Sequence, residues 1–163
     1  MQTADEKLEK LGNSVCAIVS KEYTFGADAV LLADFSAPAG GRACEAGTGC
    51  GVIPLIWCGK NSALRVDAVE IQAGAAELAA RAAAYNGMND RIRIINDDLR
   101  TTRELPSGAY DLVACNPPYQ KSGSGQMSGD RPKRLARYEV EGTAEDFISF
   151  SSRLLKNGGR LCL

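Results

Sequence analysis

The chain has 163 residues, 45% of them apolar, enough for one domain with a real core. Nineteen Lys and Arg against 20 Asp and Glu leave a net charge of -1, which argues against a wholly basic surface built to hold any polyanion. There is no histidine, and the six cysteines at 16, 44, 50, 58, 115 and 162 form no Cys-x-x-Cys pair. That composition argues against a metal site or a Cys–His catalytic pair, and suits buried thiols in a reducing cytoplasm.

In chain order, Met1 to Lys10 is charged and lacks the apolar core of a secretory signal, so a short solvated helix is expected. Residues 14–25 suggest an irregular or hairpin-forming lead-in, and Asp28 is placed to cap a helix running through Phe35. Residues 1–35 read as an N-terminal cap region and 36–163 as the core. Strands are expected near 43–45, 66–70, 92–95, 110–115 and 160–163. The alanine-rich run Gln72 to Asn86 predicts a surface helix ended by Asn86-Gly87. Thr143 to Lys156 predicts the last helix, closed by Asn157-Gly158-Gly159. Ser122 to Gly129 is Gly/Ser-rich and is expected to be mobile without substrate. No stretch is apolar for long enough to span a bilayer.

Two motifs carry chemistry. The apolar run Tyr110 to Cys115 meets Asn116-Pro117-Pro118-Tyr119, where two prolines cannot continue the ladder. The strand therefore stops, leaving acceptors around Asn116 at its carboxyl end, the edge where open α/β sheets bind ligands. An Asn oxygen, a free carbonyl and an aromatic ring suit an amino-bearing planar group. Upstream, Cys44-Glu45-Ala46-Gly47-Thr48-Gly49-Cys50-Gly51 reads as strand, tight loop and helix start. Its glycine spacing is not that of the dinucleotide fingerprint, and Glu45 would repel a pyrophosphate while suiting a positive centre. Some twenty residues on, a second strand ends at Glu70, placed to accept from ribose hydroxyls. A third ends in Asn96-Asp97-Asp98.

This ordered set resembles the class I S-adenosylmethionine-dependent methyltransferases that act on an amino nitrogen. The flanks Tyr23 to Phe35, Arg131 and Ala136-Arg137-Tyr138 are similar to the tRNA1(Val) adenine-37 N6-methyltransferase group. The resemblance runs from about residue 15 to the end. It implies a Rossmann-like α/β fold with a mostly parallel sheet and helices on both faces, and S-adenosylmethionine as cofactor. Glu45, Ala46, Gly47, Thr48 and Gly49 would hold its methionine end, Glu70 its ribose, and Ile71 its adenine face. Asp98 would accept from the adenine amino group and Leu99 would donate its backbone N–H. Thr24, Phe25 and Asp28 match an upstream element that closes over the methionine end, although Asp28 could equally be only a helix cap.

For catalysis, the resemblance assigns Asn116, Pro117, Pro118 and Tyr119, with Asn116 also at the cofactor and Tyr119 stacking on the target base. Lys121, Arg131, Arg137 and Tyr138 would meet an RNA substrate, a tRNA being expected. No metal or membrane is implied. A protein glutamine N5-methyltransferase shares the Asn-Pro-Pro-Tyr motif and is the alternative, and a noncatalytic cofactor-binding fragment is a third reading. The family fold usually adds a helix and two strands beyond the fifth strand. The sequence therefore predicts a fragment with an exposed apolar edge and self-association through it.

Overall fold

In the computed structural model, residues 5–117 and 142–163 are described. The chain opens on an antiparallel hairpin, β1 (Glu6–Gly12) and β2 (Val15–Ser20). Asn13 and Ser14 make its turn with φ of 48° and 62°, the doubly positive conformation whose twist matches a two-residue hairpin. The solvated helix expected over the first ten residues is therefore corrected: Glu6 to Gly12 is a strand, paired with β2 from Glu6 opposite Ser20 to Gly12 opposite Val15, with a bulge at Leu11. Lys7 and Lys10 are exposed and Glu6 and Glu9 half-buried, a pattern that a charged helix and a charged edge strand both satisfy.

Helix α1 (Ala27–Ser36) follows, then strand β3 (Arg42–Ala46), helix α2 (Val52–Lys60), β4 (Arg65–Glu70), α3 (Ala73–Tyr85), β5 (Ile92–Asn96) and β6 (Tyr110–Cys115). Helix α4 (Ala144–Leu154) and β7 (Leu155–Cys162) complete the described chain. The five later strands form one parallel sheet in the order β5-β4-β3-β6-β7. The order reverses direction at β3, so β3 and β6 flank the switch point where the carboxyl ends of the strands splay apart.

Burial follows from this order. Apolar residues bury both faces of the central strands β3, β4 and β6, the pattern of a parallel sheet covered on each side. On one face, β2, α1, α2 and α3 pack around Trp57, Ile53, Leu55 and Leu64. On the other, Phe147, Phe150 and Leu154 of α4 close over Val69, Tyr110 and Val113. The hairpin belongs to the first of these cores. A Cβ at Gly59 would lie 2.7 Å from Val15 Cγ2, so the glycine lets β2 press against α2. Asn86 at the end of α3 pins the hairpin by imitating a strand partner. Its Oδ1 accepts from Cys16 N–H at 2.9 Å while its Nδ2 donates to Cys16 C=O at 2.7 Å. Arg81 adds an ion pair to Glu6, with Nη1 at 3.0 Å from Oε1.

Two helix ends differ from the sequence expectation. Asp28 does not cap α1: Gly26 occupies the cap position, and Asp28 lies within the first turn, its Oδ1 accepting from Ala29 N–H at 3.0 Å. Helix α4 stops at Leu154 rather than Lys156. Gly108 and Ala109, entering β6, donate to the carbonyls of Arg153 and Leu154 at 3.0 and 2.9 Å and pull the last turn into sheet geometry. Leu155 then pairs with Tyr110 and Arg160 with Leu112, so the intervening residues bulge, with Gly158 at φ 79°. The predicted closing segment Asn157-Gly158-Gly159 is this bulge inside β7. Helix α3, by contrast, ends at Asn86-Gly87 as read, and the start of α4 is fixed by a capping box between Thr143 and Asp146.

Candidate active site

Strand β3 leaves the sheet through a turn whose glycines Gly47, Gly49 and Gly51 all have positive φ (73°, 55° and 82°), torsions costly for any other residue. Gly47 and Thr48 both donate to the Val69 carbonyl, at 2.8 and 3.0 Å, anchoring the turn to the end of β4. Phe147 covers Gly47 so closely that a Cβ there would sit 3.2 Å from its ring. Among the described residues, no atom beyond its chain neighbours lies within 4 Å of the place where a Cβ of Gly49 would be, so that side of the turn has room for a ligand.

A cavity of about 200 Å³ lies beside this turn. Glu45, Gly47, Thr48, Gly49 and Asn116 line it from β3 and β6. Thr24, Phe25 and Asp28 close it from the segment leading into α1. The two sequence motifs, which are far apart in the chain, thus share one space. Its lining holds two carboxylates and, among the described residues, no lysine or arginine.

Glu45 is only 2% exposed. Thr48 Oγ1 donates to Glu45 Oε2 across the turn. Burial pushes the Glu45 carboxyl up to about 8; the Thr48 hydrogen bond opposes this and the Glu70 charge adds to it. Glu70, also buried, organises the neighbouring strand end. Its Oε2 accepts from Gly49 N–H at 2.8 Å and its Oε1 from Gln72 N–H at 2.8 Å. Asn96 Nδ2 donates to the carbonyls of Glu70 (2.8 Å) and Ile71 (3.2 Å), tying β5 to the same corner. Asn96 had no distinguishing signal in the sequence. Nor did Val52, Ile53 and Ala29, which with Cys50 give the cavity its apolar wall.

Asp98 and Leu99 follow β5 but do not line this cavity. Leu99 is buried in the core under α4. The Asp98 carboxylate is gripped by Arg100, whose Nε lies 2.9 Å from both oxygens and whose Nη2 lies 2.6 Å from Oδ2. That guanidinium, partly opposed by burial, holds the Asp98 carboxyl below the usual range. Ile71 is half-buried beside Glu70, and Ala46 is buried at the end of β3. Asn116 and Pro117 are half-buried. Pro118, Tyr119, Lys121, Arg131, Arg137 and Tyr138 lie outside the described residues, as does the Ser122–Gly129 segment. All six cysteines are free, and no cluster of metal-ligating side chains occurs among the described residues.

A parallel sheet reversing at β3, with a glycine turn and an acid-ended β4 at that point, defines a Rossmann-like α/β fold of the methyltransferase type. Geranyl diphosphate C-methyltransferase from Streptomyces coelicolor, solved with S-adenosyl-L-homocysteine, shares it at a TM-score of 0.62 and 23% identity, over 83% of this chain and 43% of that one. Residues 16–163 match the methyltransferase small domain family, and the chain belongs to that family. Curated relatives include tRNA1(Val) (adenine(37)-N6)-methyltransferases of Porphyromonas gingivalis and Aeromonas hydrophila. They are 36% and 31% identical over 85% of this chain, covering 56% and 57% of their own lengths. A ribosomal protein uL3 glutamine methyltransferase of Bordetella pertussis is 36% identical over 51% of this chain and 27% of its own length. The chain thus spans little more than half the length of the first two relatives. No helix among the described residues is long and apolar enough to cross a membrane.

Proposed function

We propose that this chain binds S-adenosylmethionine and carries out N6-methylation of an adenine in RNA, with a tRNA as substrate in the cytoplasm. The observation that carries the reading is that Asn116 lines the same cavity as Glu45 and the open side of Gly49. The donor set fits the cofactor. A buried carboxylate answers an ammonium, glycines admit a close approach, and Glu70 at the end of β4 would accept from ribose hydroxyls. When bound, S-adenosylmethionine supplies an electrophilic methyl on a cationic sulfur.

This chain's residues would do the rest by positioning. An adenine amino nitrogen is a weak nucleophile because its lone pair is delocalised into the ring. The Asn116 side-chain oxygen and the Pro117 carbonyl accept its two hydrogens, draw the nitrogen toward tetrahedral geometry and aim the lone pair into the cavity. The proton left on the methylated nitrogen is acidic and passes to solvent, so a chain without histidine suffices. Tyr119 stacks on the extruded base, and Lys121, Arg131, Arg137 and Tyr138 hold the RNA.

The local likeness to a glutamine methyltransferase supports a second reading, transfer to a protein amide, since an amide nitrogen poses the same chemical problem. The test offers labelled S-adenosylmethionine to unmodified bulk tRNA and, in parallel, to a ribosomal protein and a release factor. New N6-methyladenosine in the digested RNA is the expected result. Label on protein alone would favour the amide reading, and label on neither would leave a domain that binds cofactor without turnover.

A further inference from the structure

Glu45 has one oxygen engaged and one facing the cavity. Oε2 accepts from Thr48, whereas Oε1 accepts no hydrogen bond among the described residues. No fully enclosed side-chain oxygen or nitrogen among those residues lacks a partner, so Oε1 is left to the cavity that Glu45 lines. A carboxyl group buried to this degree is stable as the neutral acid until a cation arrives to pair with it.

We propose that Thr48 is a positioning residue for cofactor binding: it fixes Glu45 so that Oε1 meets the ligand's ammonium, and the pairing expels a proton from Glu45. The inference rests on the S-adenosylmethionine reading above and deepens it. The Glu45 O–H bond breaks, its electron pair stays on the carboxylate, and the proton passes to solvent. The new carboxylate then faces the ammonium, with the Thr48 hydroxyl still donating to its other oxygen.

The surrounding groups support this assignment. Asp28 on α1 is the other carboxylate that lines the cavity, and Glu70 at the end of β4 repels a charge on Glu45 until a cation is present. Cys50 and Cys115 adjoin from the turn and from β6. Burial pushes both thiols up to about 12, so neither titrates near neutrality. With Glu45 titrating near 8, ligand affinity rises by up to about tenfold per pH unit below that value and then flattens. In Thr48→Val the carboxylate loses its donor, so the rise moves to higher pH. Thr48→Ser keeps a hydroxyl and restores the original profile.

The experiment is titration calorimetry of S-adenosyl-L-homocysteine at pH 6, 7 and 8, in two buffers of different ionisation enthalpy, with 5′-methylthioadenosine as the ligand lacking the amino-acid end. The expected result is release of close to one proton at pH 6–7 for S-adenosyl-L-homocysteine and none for 5′-methylthioadenosine, with Thr48→Val displaced and Thr48→Ser restored. S-adenosyl-L-homocysteine that binds with no proton release, or a Thr48→Val profile superimposable on the parent, would overturn the Thr48–Glu45 assignment and leave the cofactor reading standing. Failure of both ligands to bind would overturn the cofactor reading and this one together. Should Thr48→Val not fold, the parent protein's proton release and the Thr48→Ser profile still decide the matter.

Discussion

The Gly49 backbone N–H donates to Glu70 Oε2 at 2.8 Å, so the turn after β3 is held in shape by the carboxylate that ends β4. The other oxygen takes Gln72 N–H at the start of α3, and one side chain thereby fixes both the turn after β3 and the entry to α3. Each is a charge-assisted bond to a buried acceptor. Glu70→Ala is expected to cost about 3 kcal/mol of folding stability from the two lost bonds. It should also weaken S-adenosyl-L-homocysteine binding. Urea titration and calorimetry on the same preparation check the two effects.

Asn116 is expected to behave differently. Asn116→Ala removes an acceptor at the cavity lining but no bond that holds the turn. Turnover should fall by at least about a hundredfold, the scale of losing one preorganised partner of the reacting group. Ligand affinity should change little. Single-turnover transfer to tRNA, set beside binding of S-adenosyl-L-homocysteine, separates the two quantities.

At the opposite end of the sheet, Asp67 on β4 gathers three partners. Arg42 reaches its Oδ2 at 2.8 Å, Tyr110 donates to the same oxygen at 2.8 Å, and Arg93 lies 3.9 Å from Oδ1. Arg42 also sits 4.7 Å above the Tyr110 ring. Asp67→Ala would strand a guanidinium and a buried phenol, with an expected loss of about 2–4 kcal/mol by chemical denaturation. Because this network is remote from the cavity, ligand affinity in the folded variant should match the parent.

Gly51→Ala tests close packing. The glycine has φ 82°, and an added Cβ would approach Ala79 Cβ to 3.0 Å and its Cα to 3.3 Å, where α2 starts against α3. Torsional strain and overpacking together are expected to cost about 2 kcal/mol or more. A lowered thermal midpoint with an unchanged hydrogen-exchange pattern in β1 and β2 would localise the damage.

The buried Glu45 also makes the ligand-free protein sensitive to pH. Its folded-state carboxyl titrates near 8 against an ordinary 4.5, so the folded state holds the proton more tightly than the unfolded one. The stabilisation from this group is complete below the unfolded value and is lost as pH rises through about 8. Glu45→Gln should flatten that slope. Denaturant titrations of both proteins at pH 5 and 8 supply the comparison.

Much of this is legible in the sequence. Apolar runs ending in Glu45, Glu70 and Cys115 announced parallel strands, and the glycines after Ala46 announced the turn. Asn86-Gly87 marked the end of α3 because a helix stop is a local event. The end of α4 was hidden because its cause lies some forty residues upstream, in Gly108 and Ala109. The first strand was hidden because the partner that makes Glu6 to Gly12 extended is β2, and its charges fit a helix as well. Thr48 and Glu45 read as members of one motif. Their hydrogen bond depends on the torsions of Gly47, which spacing alone does not give. Asp98 stood out as an acid after a strand, but its pairing with Arg100 is a side-chain choice that no pattern records.

The cavity walls come from three stretches of chain, around residues 24–29, 45–53 and 116, and are joined by the lateral pairing of β3 with β6. Arg42 and Asp111, which bridge those strands at their far ends, are 69 residues apart in sequence. Closing a loop of that length is entropically slow compared with forming the local β3-α2-β4-α3 units. A growing or refolding chain therefore acquires its helices and first strands well before it acquires a binding cleft. Recovery of ligand affinity is thereby a report on the completion of long-range order, and it should lag behind recovery of helical signal.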